Sequence, residues 1–115
     1  MSFDLIVLAM DGQADAAAVL AMVERCRRPV HVEGELDPRV VGFYERLTAL
    51  FPDHGPLAAE SPWMSTPLGT GIDHVFMCLS FSERSTPALE AITQLARESD
   101  LVLFDPQSGD VYDPA

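Results

Sequence analysis

The sequence contains no lysine and no asparagine, and cysteine occurs only twice. Without lysine the chain offers no side chain for a Schiff base and no P-loop lysine for a nucleotide phosphate. The codons for lysine and asparagine are AT-rich, so their absence indicates a GC-rich bacterial genome. Both cysteines, Cys26 and Cys78, lie within apolar patterns, which predicts reduced, buried thiols and no disulfide framework.

Targeting signals and catalytic motifs are also missing. No apolar run approaches the roughly 20 residues that a membrane-spanning helix needs, and the N-terminal segment lacks the basic region and cleavage site of a signal peptide. We therefore expect a soluble cytoplasmic protein. The G-x-G-x-x-G, P-loop, G-x-S-x-G and H-E-x-x-H motifs are absent as well. We expect no cofactor and favour a binding protein over an enzyme.

Acidic residues dominate the charge of the chain. Its 115 residues carry a formal net charge of −11, and 48% of them are apolar, which suffices for one domain, residues 1–115, with a hydrophobic core. Such a charge repels nucleic acid and anionic membranes. The expected partner is therefore another protein or a second copy of the chain.

The spacing of apolar residues predicts the element order β-α-α-(β)-β-α-β-β. The predicted strands are 3–10, 63–66, 72–81, 101–104 and 110–112. The predicted helices are 14–27, a second one that begins after the cap Asp37 and ends before Pro52, and a third that Thr86 and Pro87 open. This order indicates an α+β fold, a ferredoxin-like two-layer sandwich in which three helices cover one face of a mainly antiparallel sheet. A small three-layer α/β sheet is the alternative.

Both faces of this predicted sheet are apolar. In the strand 72–81, Val75 and Met77 point to one face, and Phe76 and Cys78 point to the other. An antiparallel sheet with one solvated face is polar on that side. The second face must therefore be covered by the segment 52–71, by a helix, by a second copy of the chain or by another protein.

Several polar and aromatic residues are candidates for a binding site. His74 follows Asp73 at the start of a strand, where it suits either a general base or a local backbone hydrogen bond. Trp63 is either an anchor on the core or an exposed contact. Turn residues near the C-terminal end either bind a ligand or hydrogen-bond their own backbone. The candidate ligand- or partner-binding residues are Trp63, Asp73, His74, Phe76, Asp105, Gln107 and Asp110.

A second acidic stretch bears on metal binding. His31, Glu33 and Glu35 share one face if the segment 30–36 is extended, and they then form either a divalent-metal site or a solvated acidic edge. No H-x-H or C-x-x-C spacing reinforces the metal interpretation. We predict no metal ligands, and the role of these three residues stays open.

The two ends of the sequence resemble those of small, uncharacterised proteins of GC-rich bacteria. The chain begins Met1-Ser2-Phe3-Asp4-Leu5 and closes with Phe104-Asp105-Pro106-Gln107 followed by Ser108-Gly109-Asp110. The likeness extends to the Phe51-Pro52-Asp53 helix end and the Pro62-Trp63 loop, while Phe104 replaces the tyrosine typical of the group. The resemblance implies no catalytic residues, and it suggests an immunity-type or accessory protein.

Two functions follow as hypotheses. The first is a non-enzymatic interaction module of immunity, inhibitor or accessory type, because the chain is acidic, lacks catalytic motifs and has surplus apolar sheet surface. The second is a small ligand-binding domain or enzyme, with a pocket between the sheet and the segment 52–71. A homodimer that buries the second sheet face through Phe76 is a further arrangement consistent with the pattern.

Overall fold

Five strands and three α-helices make up the described part of the chain. The computed structural model describes residues 2–10, 15–26, 34–53, 61–64, 68–80 and 83–112. The strands are β1 (Ser2–Leu8), β2 (Gly69–Thr70), β3 (His74–Ser80), β4 (Val102–Asp105) and β5 (Asp110–Tyr112). The helices are α1 (Ala16–Cys26), α2 (Pro38–Leu50) and α3 (Thr86–Glu98), and a 3₁₀ turn (Glu83–Ser85) precedes α3.

The strands form one sheet in the order β2-β3-β1-β4-β5, and every neighbouring pair is antiparallel. β1 lies at the centre, where it pairs with β3 from Ser2 opposite Ser80 to Leu8 opposite His74. Its other edge pairs with β4, with Ile6 opposite Phe104. The prediction of an α+β fold with a mainly antiparallel sheet and three helices is confirmed.

One face of the sheet packs against α2 and α3. Successive side chains of a strand point to opposite faces, so the odd-numbered residues of β1 and β3 share this side. They form the larger of two hydrophobic clusters, together with the inward stripes of both helices. Its most buried members include Leu5, Val7, Val40, Phe43, Leu47, Val75, Met77, Leu79, Ile92 and Leu103.

The opposite face packs against α1. Ile6 and Leu8 of β1 and Phe104 of β4 are buried there with Val19, Met22, Val23 and Cys26 of the helix, and Phe76 lies at the edge of this second cluster. A helix therefore covers the second apolar face, which is one of the four covers that the sequence allowed. The three helices divide between two faces, whereas the sequence indicated a single helical layer. The ferredoxin-like arrangement consequently stays a prediction.

Two helices have a proline in their first turn, at the first position of α2 and at the second position of α3, but their caps differ. At α2 the Asp37 carboxylate accepts the Arg39 backbone N–H at 2.9 Å, as the sequence predicted. The hydrogen bond that the Arg39 side chain donates to Asp37 is the main reason the pKa of this carboxyl lies below its usual value. At α3 the cap position falls on Ser85, one residue before the predicted cap, and its hydroxyl donates to the Ser80 carbonyl instead.

Some predicted features differ from the structure or lie outside it. β3 begins at His74 rather than residue 72, because Ile72 and Asp73 form a turn, and the short β2 was not predicted. Trp63 forms an isolated bridge with Leu79, while residues 65 and 66 of the predicted short strand lie outside the described residues. His31 and Glu33 also lie outside them. None of the described helices has the length and apolar character that crossing a membrane requires.

Substitutions on α1 test whether this helix covers the sheet. Val23 is 3% exposed against the second face, whereas Leu20, on the outer side of the same helix, is 53% exposed. We expect Val23→Asp to lower the free energy of unfolding by about 3–5 kcal/mol, because it buries an unpaired charge. Leu20→Asp is the matched control and changes stability by less than about 1 kcal/mol. Urea unfolding monitored by circular dichroism measures both, and equal losses would contradict this packing.

Candidate functional site

A tight hairpin connects β2 to β3 and carries two of the predicted site residues. The Gly71 N–H donates to the His74 carbonyl at 2.9 Å, so Ile72 and Asp73 form a two-residue loop. The Asp73 carbonyl accepts the Ala9 N–H at 2.8 Å, and the Ile72 carbonyl accepts the Asp37 N–H at 2.7 Å. Backbone hydrogen bonds therefore fix this loop to the end of β1 and to the start of α2.

The His74 ring is buried against the hairpin. Its side chain is 3% exposed, and Nδ1 lies 2.9 Å from Oδ1 of Asp73. The ring makes an edge contact with Phe76, with centroids 4.9 Å apart. It also lies directly over Gly71, where a Cβ atom would overlap Cε1 of the ring. The histidine occupies this position because residue 71 has no side chain.

Cys26 of α1 lies next to Asp73 and His74. It is the last residue of α1, and its thiol donates to Oδ1 of Asp73 at 3.6 Å. Burial, followed by the nearby Asp73 carboxylate, raises the pKa of the thiol from 9.0 to about 12. A thiol that stays protonated at neutral pH is a poor nucleophile. We call Cys26, Asp73 and His74 the hairpin cluster.

The sequence had assigned Cys26 only to the core. Forty-seven positions separate it from Asp73, and no local spacing links the two. The signal that was available is its place at the C-terminal end of a helix that had to pack somewhere on an apolar sheet. Cys26 contacts Asp73 only if α1 packs on the second face of the sheet, and the sequence pattern does not show which face α1 covers.

Trp63 is an anchor on the core, one of its two predicted roles. Its side chain is buried, Nε1 donates to the Phe51 carbonyl at 2.8 Å, and the ring meets Phe51 edge on. The surrounding segment adds to the edge of β3, because the Met64 N–H donates to the Cys78 carbonyl and the Ser80 N–H donates to the Pro62 carbonyl. These contacts leave Trp63 without the exposed surface that a partner contact needs.

Asp53 is a buried polar residue that the sequence analysis missed. Its Oδ2 accepts the Tyr44 hydroxyl at 2.6 Å and the Leu68 N–H at 3.1 Å, so it connects α2 to the segment before β2. Burial of the phenol, together with the hydrogen bond and charge of Asp53, raises the pKa of Tyr44 to about 12. An aspartate that follows a helix-ending proline resembles any exposed loop residue in the sequence, and only the fold buries it.

Gln107 extends the sheet with its side chain. Its amide accepts the Asp4 N–H at 2.7 Å and donates to the Asp4 carbonyl at 2.8 Å, one step beyond the backbone pair Ile6–Phe104. Pro106 follows β4 at this point and has no N–H to offer. Asp105 accepts the Gln107 N–H at 2.9 Å, as expected of a turn residue. Here the side-chain amide replaces a missing rung of backbone pairing.

A groove of about 640 Å³ lies on the face that carries α3. Phe3, Leu5 and Leu103 of the sheet form its floor, and Leu89 contributes from α3. The remaining lining residues are mostly polar, and Tyr112 is the exception. They are Glu83, Ser85, Thr86, Thr93, Asp105, Gln107 and Tyr112. We call this cavity the α3 groove.

The structure does not bring the predicted site residues together in one place. Asp105 and Gln107 line the α3 groove, whereas Asp73 and His74 belong to the hairpin cluster. His74 is opposite Leu8 at one end of β1, and Asp105 lies beyond the pair Ile6–Phe104 towards its other end. The described residues therefore do not bring His74 and Asp105 into one pocket, and those that line the α3 groove include none from the segment 52–71. The pocket between the sheet and that segment stays a prediction, because residues 54–60 and 65–67 lie outside the described residues.

The other two candidates have less direct roles. Phe76 is half-buried and packs on the cluster beneath α1, so it contributes to the fold, and a homodimer formed through this residue stays a prediction. Asp110 is exposed opposite Asp105 in the β4–β5 hairpin, where its N–H donates to the Ser108 hydroxyl at 3.2 Å. Glu35, from the acidic stretch weighed for metal binding, is exposed.

Two glycines provide a matched test of the hairpin packing. We expect Gly71→Ala to lower the free energy of unfolding by about 1–3 kcal/mol, because the new methyl group displaces the His74 ring. Gly42, inside α2, has no atom within 4 Å of the point that an added methyl group would occupy, so Gly42→Ala is expected to raise stability by about 0.5–1 kcal/mol. Urea unfolding of both variants gives the comparison. An unchanged stability for Gly71→Ala would show that the ring does not lie over residue 71.

The Tyr44–Asp53 hydrogen bond predicts a dependence of stability on alkaline pH. Folding raises the pKa of Tyr44 from 10.0 to about 12, so its contribution is complete below pH 10 and is lost as the pH rises towards 12. We expect Tyr44→Phe to cost about 1–3 kcal/mol at neutral pH, with the difference from wild type shrinking through that window. Tyr112→Phe, at a half-exposed position, is the control and should change stability by less than about 0.5 kcal/mol. A difference that stays constant up to pH 12 contradicts the assignment.

Comparison with protein-family models, with curated proteins and with solved structures finds no match for this chain. The resemblance of its two ends to small acidic bacterial proteins therefore stays a prediction.

Proposed function

We propose that the protein is a non-enzymatic interaction module that binds a basic segment of another protein in the α3 groove. The observation that carries this proposal is the groove itself, which combines an apolar floor with acidic residues at its edge. The apolar residues of the second sheet face do not support a binding role, because they pack against α1.

The floor of the groove suits an apolar side chain. Phe3 and Leu89 are only partly buried, and Tyr112 at the end of the groove is 50% exposed. A volume of about 640 Å³ falls within the range of pockets that hold small ligands or a few side chains. Covering this surface removes apolar area from water, which is the main favourable contribution to binding.

The charge of the groove favours a basic partner. Glu83 and Asp105 are among its lining residues, and Glu90 is exposed on α3. The whole chain carries a net charge of −11, so a basic segment is attracted from a distance and its association is accelerated. This combination is typical of an inhibitor, immunity or accessory protein that meets a basic target, and it makes nucleic acid and anionic lipid poor partners.

The described lining residues of the groove include few of the side chains that usually catalyse reactions. None of its described lining residues is histidine, cysteine or lysine. The Ser85 hydroxyl within it donates its proton to the Ser80 carbonyl and not to a base that could activate it. Nucleophilic catalysis by serine requires such a base. The lining residues therefore support binding better than a reaction.

Peptide selection tests the proposal without a known partner. From a random peptide library displayed on phage and selected on the immobilised protein, we expect enrichment of arginine and lysine around an apolar or aromatic residue. Thr93→Arg places a bulky cation in the groove, and it should weaken the enriched peptides at least tenfold in fluorescence anisotropy. Binding should also weaken as salt increases, because part of the attraction is electrostatic.

Thr48→Arg on α2 is the matched control. The hydroxyl of each threonine donates to a backbone carbonyl four residues earlier, at 2.7 Å for Thr48 and 2.8 Å for Thr93, but only Thr93 lines the groove. Peptide affinity should be unchanged in Thr48→Arg. Equal loss in both variants, or enrichment of acidic peptides, would overturn the proposal.

A further inference from the structure

Three side chains with metal-binding atoms converge in the hairpin cluster. The Cys26 thiol, a carboxylate oxygen of Asp73 and a ring nitrogen of His74 all lie within 4.8 Å of one another. We propose that these residues form a binding site for a divalent metal ion of the zinc class. This site is separate from the α3 groove, and the proposed function does not depend on it.

The donor set selects the class of ion. A thiolate is a soft ligand that favours zinc and discriminates against magnesium and calcium, which prefer oxygen atoms. Imidazole and carboxylate complete a set that is common in zinc proteins, where three protein ligands leave one position for water. The sequence had favoured no metal, and it considered only His31, Glu33 and Glu35 as ligands. The fold instead assembles a mixed set from α1 and the β2–β3 hairpin.

The distances fit one tetrahedral ion with a small adjustment. Around zinc, with bonds of about 2.0–2.3 Å, a sulfur and an oxygen ligand lie about 3.6 Å apart, and a nitrogen and an oxygen lie about 3.4 Å apart. Sγ of Cys26 and Oδ1 of Asp73 are 3.6 Å apart, and Nδ1 of His74 is 2.9 Å from the same oxygen. The nitrogen–oxygen pair must widen by about 0.5 Å. The Cys26 sulfur and the His74 ring nitrogen, which lie within 4.8 Å of each other, must come to about 3.6 Å.

The surroundings hold the ligands in place while leaving a route for an ion. Cys26 is fixed at the end of a helix whose inner side is buried, and Gly71 leaves space for the His74 ring. The Asp73 side chain is 21% exposed, so the cluster reaches the surface on that side. Two of the three ligands are thus positioned by the fold before an ion arrives, which lowers the entropic cost of binding.

Binding exchanges a proton for the ion. The Cys26 S–H bond breaks, its proton passes to solvent, and the sulfur electron pair forms the bond to the metal. The ionised Asp73 carboxylate supplies an oxygen pair. In the ion-free protein a proton on Nδ1 makes the hydrogen bond to the ionised Asp73 carboxylate. On binding, this proton leaves to solvent while Nε2 takes one up, so the ring stays neutral and the Nδ1 pair forms the bond to the ion. No oxidant or reductant takes part. The ion then connects the end of α1 to the hairpin, so its binding stabilises the fold.

Cobalt(II) is the probe, because it occupies zinc sites and gives a thiolate-to-metal charge-transfer band in the near ultraviolet. In titrations of the reduced full chain under inert gas, we expect one equivalent of cobalt and this band in the wild type. Cys26→Ser should abolish the band, and Asp73→Asn should weaken cobalt binding at least tenfold. Zinc should displace cobalt and raise the melting temperature of the wild type but not of Cys26→Ser.

Cys78→Ser provides the matched control, since Cys78 is the other cysteine of the chain and lies outside the hairpin cluster. Its cobalt spectrum should equal that of the wild type. A wild type without a charge-transfer band in hundredfold excess cobalt, or a band that persists in Cys26→Ser, overturns the site. Should Cys26→Ser fail to fold, Asp73→Asn decides, because unchanged cobalt affinity in that variant also overturns it.

Discussion

The central strand β1 is apolar on both faces, and the rest of the fold follows from that constraint. Leu5 and Val7 lie in one hydrophobic cluster, with Phe3 packed against it, and Ile6 and Leu8 lie in the other. A strand with two such faces is stable only when both are removed from water. α2 and α3 cover one side and α1 covers the other, so the helices are divided by the demands of this strand.

Polar groups at the margins of the sheet are satisfied by side chains. The Gln107 amide supplies a pairing partner for Asp4, where backbone pairing with β4 stops. Asp53 accepts hydrogen bonds from a phenol and a backbone N–H in a buried position. Burying a polar group without such partners costs free energy. A polar residue such as Gln107, which the sequence suggests as part of a binding site, therefore stabilises the fold through its hydrogen bonds.

The two proposed sites lie at opposite ends of the central strand. Phe3 and Leu5, near the start of β1, form part of the α3 groove floor, while the hairpin cluster is held beside its other end through the Ala9–Asp73 hydrogen bond. The groove offers an apolar surface with acidic edges, and the cluster offers ligands for an ion. The two sites share no residue, so peptide binding in the α3 groove and metal binding in the hairpin cluster can be measured independently.

The long strands and helices, the apolar character of both sheet faces and the α2 cap could all be predicted from the order of the residues. These features depend on residues close together in the chain, whose periodicity and turn chemistry act locally. Four features became visible in the fold alone: the face that α1 covers, the contact of Cys26 with Asp73 and His74, the burial of Asp53, and the position of the groove beside α3. Each depends on residues far apart in the chain, and their proximity follows from packing that no local pattern encodes.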